Sequence, residues 1–250
     1  MYSEKSSAIT VDTLLAGRVK LLQPKKGYRV AIDPVFLAAS IPVESGETIL
    51  DVGAGVGAAS LCLAQRKKDC KITGLERQSD LVLLSMENAK VNSCSTRVRF
   101  ICGDLTDPDE DLEGSEYDHV MTNPPFLEKG SATLSPYVGK ALSNVESTAT
   151  LENWVRFCLS MVRIGGTVTF IYTMDRLDEL LGHLGDGLGD KIVFPLQPDS
   201  EKNAKRVLVH GKKGGSGRTC FAQGLILHEA DGRYTPEADS VLREGMPLLL

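Results

Sequence analysis

No CxxC pair and no cysteine–histidine cluster occurs among the six cysteines, at 62, 70, 94, 102, 158 and 220. A zinc site, any other metal site of that kind and a secreted disulfide framework are therefore not expected. The thiols read as buried and reduced, as in a cytosolic protein. No apolar run approaches the 18 or so residues of a membrane span. Met1 to Thr10 is polar, without the apolar core of a secretory signal. A cytoplasmic location and no membrane partner are the expectations. An excess of positive charge is missing too, because 28 Lys and Arg face 33 Asp and Glu for a net charge of -5. The bulk field does not announce a nucleic-acid partner, although a local cluster of cations can still make one. Solenoid-type repeats and low-complexity tracts are also absent. What the chain does have is 250 residues, 42% of them hydrophobic, enough for a large core in one α/β domain.

The first ten residues read as a loose tail. Leu14 to Leu22, a turn at Pro24 to Gly27, and Tyr28 to Ile32 read as a hairpin. Asp33-Pro34 reads as a helix N-cap followed by proline at the first helical position, opening Val35 to Ser40. A regular alternation begins at Thr48. Strands are expected at Thr48 to Val52, Lys71 to Leu75, Val98 to Cys102, Tyr117 to Thr122 and Thr167 to Tyr172. Helices are expected at Ala58 to Arg66, Asp80 to Val91, Leu151 to Val162 and Asp175 to Leu184. Strands separated by helices imply crossover units and a mainly parallel sheet. Ile192 to Leu196, Arg206 to His210 and Phe221 to His228 follow without clear helices between them, suggesting antiparallel strands at one edge. The division is residues 1–45 as an N-terminal hairpin and helix extension packing on a ligand pocket, and 46–250 as the main domain.

Ile49-Leu50-Asp51-Val52-Gly53-Ala54-Gly55-Val56-Gly57 places glycines on a strand-to-helix turn, where backbone N–H groups can approach a ligand that a Cβ would hold away. Its G-x-G-x-G spacing is shorter than the dinucleotide fingerprint, and alone it is a weak signal. Two further acids strengthen it. Glu76 closes the second strand, where a carboxylate can accept both hydroxyls of a ribose, and Asp104 follows the third, where it can accept from an adenine amino group. All three acids fall at carboxyl ends of parallel strands, the crevice in which open α/β sheets bind ligands. Together they point to an adenosine-containing cofactor, a class that includes the nicotinamide dinucleotides.

The fourth strand runs into Asn123-Pro124-Pro125-Phe126. Two prolines fix φ near −65° and remove backbone donors, leaving a rigid loop whose carbonyls point outward. The Asn123 side-chain carbonyl and the Pro124 backbone carbonyl can hold both hydrogens of a planar –NH₂ group. Phe126 offers a face for stacking a flat base, worth about 1–3 kcal/mol. Such a loop works by orientation, without a strong general base.

These residues resemble the class I S-adenosylmethionine-dependent methyltransferases, in the subgroup with an Asn-Pro-Pro-aromatic motif. The resemblance implies an α/β, Rossmann-like class I methyltransferase fold, a mostly parallel seven-stranded sheet with an antiparallel edge and helices on both faces. It also implies S-adenosyl-L-methionine as cofactor. Asp51, Gly53, Ala54, Gly55 and Gly57 would hold its methionine part, Glu76 the ribose, and Asp104 with Leu105 the adenine. Asn123, Pro124, Pro125 and Phe126 match the catalytic loop, with Asn123 also beside the cofactor. Within the subgroup the chain is similar, over nearly its whole length, to the tRNA(Val) adenine-N6 methyltransferase family. By that likeness Pro24 to Asp33 covers the cofactor pocket, and Arg29 and Asp33 contact the cofactor or its lid. Phe126 stands where that family more often has tyrosine, and phenylalanine also occurs in relatives that methylate guanine N2 in ribosomal RNA. The same acceptor pair fits a glutamine amide, but protein methyltransferases of that type usually carry an N-terminal helical domain. Roughly 45 residues precede the first sheet strand, too few for such a bundle.

An RNA substrate, in first place tRNA, needs cations. Leu127 to Thr150 has no clear periodicity, contains Lys129, and could close over a target base. Lys202, Lys205, Arg206, Lys212, Lys213 and Arg218 form a second group, with Lys212 to Arg218 read as a flexible basic loop able to follow phosphates. The target nucleotide would have to be flipped or already unstacked. Of the scattered histidines, His119 on a buried strand reads as a satisfied core residue.

Overall fold

A computed structural model describes residues 9–26, 29–108, 112, 116–125 and 149–250. The chain opens with a hairpin, β1 (Ile9–Leu14) antiparallel to β2 (Val19–Pro24), which forms a two-stranded sheet of its own. The hairpin lies earlier than the sequence suggests. Its reversal uses Leu15, Ala16 and Gly17, all at positive φ (51°, 52° and 89°). Two non-glycine residues in that region carry no turn signature a reader would look for, and Leu15 is held there by burial, at 3% exposure. Helix α1 (Asp33–Ser40) follows, with Ile32 as its N-cap; Asp33 is the first helical residue and makes no capping bond.

Next come β3 (Thr48–Val52), α2 (Ala58–Arg66), β4 (Lys71–Glu76), α3 (Ser79–Val91), β5 (Val98–Cys102) and β6 (Tyr117–Thr122). Beyond the Asn-Pro-Pro segment lie α4 (Leu151–Met161), β7 (Val162–Thr173), a 3-10 turn leading into α5 (Leu177–Leu184), β8 (Gly189–Gln197) and β9 (Arg206–Lys212). Two-residue strands β10 (Cys220–Phe221) and β11 (Leu225–Ile226), and a short helix α6 (Pro236–Asp239) that continues as a π turn, complete the elements.

The main sheet runs β5-β4-β3-β6-β7-β9-β8, with β10 and β11 both added to β8. Strands β3 to β7 are parallel, and β9 is antiparallel to both of its neighbours. The expected antiparallel edge is thus a single inserted strand, one place in from β8, which returns to the common direction. The segment after residue 219 also departs from expectation. It pairs with β8 in parallel, in two fragments separated around Gly224, whose φ is 82°.

Along each central strand successive side chains enter opposite layers, as the period-2 geometry requires. Ile49, Met121 and Ile171 pack with α1 and α2, whereas Leu50, Val120 and Phe170 pack with α4 and α5. Both faces of the sheet are covered, which is why its strands read as near-continuous apolar runs. Four cysteines are buried; Cys102 and Cys220 are exposed, contrary to the reading of all six as core thiols. His119 is buried and satisfied, with Nδ1 2.8 Å from Thr167 Oγ1 and Nε2 2.8 Å from Glu47 Oε2. Among the described residues no helix is long and apolar enough to cross a membrane.

Candidate active site

The order of the sheet brings the carboxyl ends of β5, β4, β3 and β6 side by side. The chain direction across the sheet reverses between β3 and β6, the switch point at which such sheets bind ligands. Asp51, Glu76 and Asp104 all sit on this rim, at or just past the ends of β3, β4 and β5.

The glycine turn lies over the end of β4, with Gly53 and Ala54 both donating to the Leu75 carbonyl at 2.8 and 2.9 Å. Gly53, Gly55 and Gly57 have φ of 73°, 57° and 87°, the left-handed region that glycine enters at little cost. Their surroundings differ. A Cβ on Gly53 would stand 2.4 Å from Trp154 Cη2, and one on Gly57 would stand 2.6 Å from Phe100 Cζ. A Cβ on Gly55 would meet nothing within 4 Å. Gly53 and Gly57 admit aromatic rings from opposite sides of the sheet, and Gly55 alone faces open space. Trp154 is brought there by α4, whose first turn is set by a capping box between Thr150 and Asn153.

Asp51 is 2% exposed, and its Oδ2 accepts from the Ser60 hydroxyl at 2.6 Å and the Ser60 N–H at 3.2 Å. Burial pushes its carboxyl up to about 6; the Ser60 bonds oppose that rise and the neighbouring Glu76 charge adds to it. Glu76 is also buried. Its Oε2 accepts the Gly55 N–H at 3.0 Å and its Oε1 the Gln78 N–H at 2.8 Å, which fixes the carboxylate against the turn. Asp104 is more open, with Oδ1 accepting the Thr106 N–H at 2.9 Å and the Thr106 hydroxyl at 2.8 Å, and Oδ2 3.8 Å from Arg77. Burial works to raise its pKa, but the Thr106 bonds and the Arg77 charge outweigh it and hold it low. Leu105 is partly buried against the core layer that contains Leu75. Three carboxylates along one rim, beside a glycine facing open space, fit a ligand with donors spread along its length, as an adenosine-containing cofactor has.

Asn123 follows the last residue of β6. Thr122, in register with Val52, donates its hydroxyl to the Val52 carbonyl at 2.8 Å. Asn123 and Gly53 are thus the next residues of two paired strands, which run about 4.8 Å apart. Asn123 is partly exposed, Pro124 buried and Pro125 partly exposed. Phe126 and Lys129 lie outside the described residues.

Of the remaining residues singled out in the sequence, Arg29, Asp33, Arg206 and Lys213 have partners within the chain. Arg29 ties its loop to the hairpin, with Nη2 2.7 Å from Asp12 Oδ2 and Nη1 3.0 Å from Thr10 Oγ1. Asp33 accepts from Arg206 Nε at 2.9 Å, so this acid and this cation engage each other. Both lie at the rim, since Arg206 pairs with Thr173 at the carboxyl end of β7, and Lys205 beside it is exposed. Lys212 is at the other end of β9, paired with Thr167, the residue of β7 at which its pairing with β9 begins. Six residues of strand separate the two ends, about 20 Å. The basic loop at 212–218 therefore stands at the rim opposite the glycine turn. Lys213 is further committed, its ammonium donating to the Leu159 and Val162 carbonyls at 2.8 and 2.7 Å, where it caps the end of α4. Arg218 and Lys212 are exposed on that far edge.

Residues 29–148 match the family model "Methyltransferase small domain". The chain is similar to tRNA1(Val) (adenine(37)-N6)-methyltransferase of Aeromonas hydrophila, 27% identical over 209 residues, covering 83% of this chain and 85% of the relative. The enzyme of the same name from Porphyromonas gingivalis is 28% identical over 218 residues, covering 84% of this chain and 85% of the relative. Among solved structures, a predicted O-methyltransferase from Agrobacterium tumefaciens superposes with a TM-score of 0.73 at 23% identity, over 87% of this chain and 99% of the other. An S-adenosylmethionine-dependent O-methyltransferase from Thermotoga maritima superposes with a TM-score of 0.53 at 17% identity, over 80% of this chain and 69% of the other. The solved structures speak for the fold.

Proposed function

We propose that the chain, whose residues 29–148 match a methyltransferase small domain, is an S-adenosylmethionine-dependent methyltransferase that acts on N6 of an adenine in tRNA, in the cytoplasm. Two curated relatives of matching length carry that activity in their names. The observation that carries the reading is the Thr122–Val52 hydrogen bond, which holds the Asn123 loop beside the glycine turn on one rim of the sheet.

The cofactor supplies a methyl group on a sulfonium, ready for attack by a neutral nitrogen. Asp51, Gly53, Ala54, Gly55 and Gly57 are assigned to its methionine part, Glu76 to its ribose hydroxyls, and Asp104 with Leu105 to its adenine. Asn123 Oδ1 and the Pro124 carbonyl accept the two hydrogens of the substrate amino group and fix the direction of its lone pair. Phe126 supplies the stacking face. An aromatic amine keeps its proton until after attack, so no strong base is required, and orientation carries the rate. Lys205, exposed at the rim, is the cation assigned to the RNA backbone on this side. Residues 46–250 form the catalytic unit, with 1–45 as its extension.

Nucleoside mass spectrometry of RNA from cells with and without the protein tests this. Loss of N6-methyladenosine from one tRNA is expected, together with loss of turnover and near-normal cofactor affinity in Asn123→Ala. Loss of N2-methylguanosine from ribosomal RNA instead, or full turnover by the variant, refutes it.

A further inference from the structure

Among the described residues, strand β2 is bonded to β1 on one side and to no strand on the other. Asn88 of α3 and Asn92, the C-cap of that helix, complete its free edge. Asn92 Oδ1 accepts the Lys20 N–H at 2.9 Å and its amide donates to the Lys20 carbonyl at 2.7 Å. Asn88 does the same at Leu22, accepting at 2.7 Å and donating at 2.9 Å. The geometry suits the pairing. Four residues of helix rise about 6 Å and two residues of strand about 6.6 Å, so an i, i+4 pair meets alternate residues of a chain running the other way.

Asn88 differs from Asn92 in its burial and in its third partner, which for Asn92 is the Asn88 carbonyl. It is completely buried, and its amide also donates to the Val56 carbonyl at 2.9 Å. Val56 stands between Gly55, the glycine facing open space, and Gly57, which carries the turn into α2. One side-chain amide therefore holds the N-terminal hairpin, its own helix and the glycine turn in a fixed relation. An amide with three of its hydrogen bonds made to backbone, at full burial, can give up none of them without leaving a group unsatisfied.

We propose that Asn88 is a positioning residue for the cofactor turn, acting through the Val56 carbonyl, and that it couples binding at the turn to docking of the hairpin. The proposal rests on the glycine turn being the cofactor site. Asn92 provides the control, since Asn92→Asp removes donors to the hairpin without touching Val56, whereas Asn88→Asp removes donors to the hairpin and to Val56 together.

The measurements are calorimetric affinity for S-adenosylmethionine and amide hydrogen exchange of the ligand-free chain. Both variants should speed exchange across Val19–Pro24. Only Asn88→Asp should speed it at residues 53–57 and weaken cofactor binding, by about tenfold for a lost buried hydrogen bond. Linkage adds a test that needs no variant: in the wild-type chain, saturating cofactor should slow exchange across Val19–Pro24, because coupling between sites is reciprocal. The proposal is overturned if Asn88→Asp binds like wild type, if Asn92→Asp is weakened as much, or if cofactor leaves hairpin exchange unchanged. Where Asn88→Asp does not fold, the wild-type exchange result decides. Gly55→Ala and Asp104→Ala separate the two levels. If they also bind normally, the cofactor site itself is misassigned; if they bind weakly while Asn88→Asp does not, only the coupling fails.

Discussion

Replacing Gly53 by alanine should cost far more stability than replacing Gly55, although both have positive φ (73° and 57°). Each substitution incurs the left-handed penalty of a Cβ, about 1–2 kcal/mol. At Gly53 the new methyl also falls 2.4 Å from Trp154 Cη2 and 3.0 Å from Cζ3, inside a layer where the tryptophan is 8% exposed and cannot swing away. Overpacking of that kind adds about 1–3 kcal/mol. The sum is about 2–5 kcal/mol for Gly53→Ala against about 1–2 kcal/mol for Gly55→Ala. For a chain of this size each kcal/mol moves Tm by about 2–4 °C, so the expected drops are roughly 4–20 °C and 2–8 °C. Denaturant titration with thermal unfolding reads both. A double-mutant cycle with Trp154→Phe should show coupling to Gly53→Ala, about 1 kcal/mol or more, and none to Gly55→Ala. Cofactor affinity should follow the opposite ranking, weakened most directly by Gly55→Ala, whose methyl enters the open side of the turn. Equal destabilisation by the two variants, or no coupling between Gly53 and Trp154, would refute the division of roles among the glycines.

Lys213→Met should destabilise the chain by about 1–2 kcal/mol through loss of the α4 cap while leaving the salt dependence of RNA binding unchanged. Lys205→Glu should alter that dependence with little effect on Tm, and filter binding across a salt series distinguishes the two. Asp104→Ala should weaken cofactor binding without loss of fold, read by calorimetry beside circular dichroism; unchanged affinity would remove Asp104 from the site. Asp118 is held down at about 2 against its burial, by the Thr48 N–H and hydroxyl and the Arg163 guanidinium. Its folded value lies below its unfolded one, so the stabilisation is complete above about pH 4 and is lost as pH falls toward 2. Asp118→Asn should therefore lower stability at pH 7 by about 1–2 kcal/mol, allowing for partial solvent screening. It should also flatten the acid limb of stability against pH.

Local chemistry was legible where residues act through their own strand or turn. The strand-to-helix glycine turn, the acids at or just past the ends of β3, β4 and β5, and the Asn-Pro-Pro loop after β6 are written in order along the chain, because parallel crossover units deliver every such turn to the same rim. The alternation of strands and helices likewise announced the sheet. The hairpin was placed too late because Leu15 and Ala16 turn the chain without turn-forming side chains, held by tertiary burial. The far-edge location of Lys212 to Arg218 was invisible because it depends on the direction of β9, and an antiparallel strand reverses which end of a segment meets the rim. Trp154 and Phe100, the rings that make Gly53 and Gly57 obligatory, lie about 100 and 43 positions away along the chain. Asn88 left one trace, a polar residue on the buried stripe of α3, but its partners Leu22 and Val56 could be named only once the hairpin was docked. Residue types and spacing thus determined which chemistry the rim can hold. Packing between distant segments decided which side chains remain free to perform it and which are spent on holding the rim in shape.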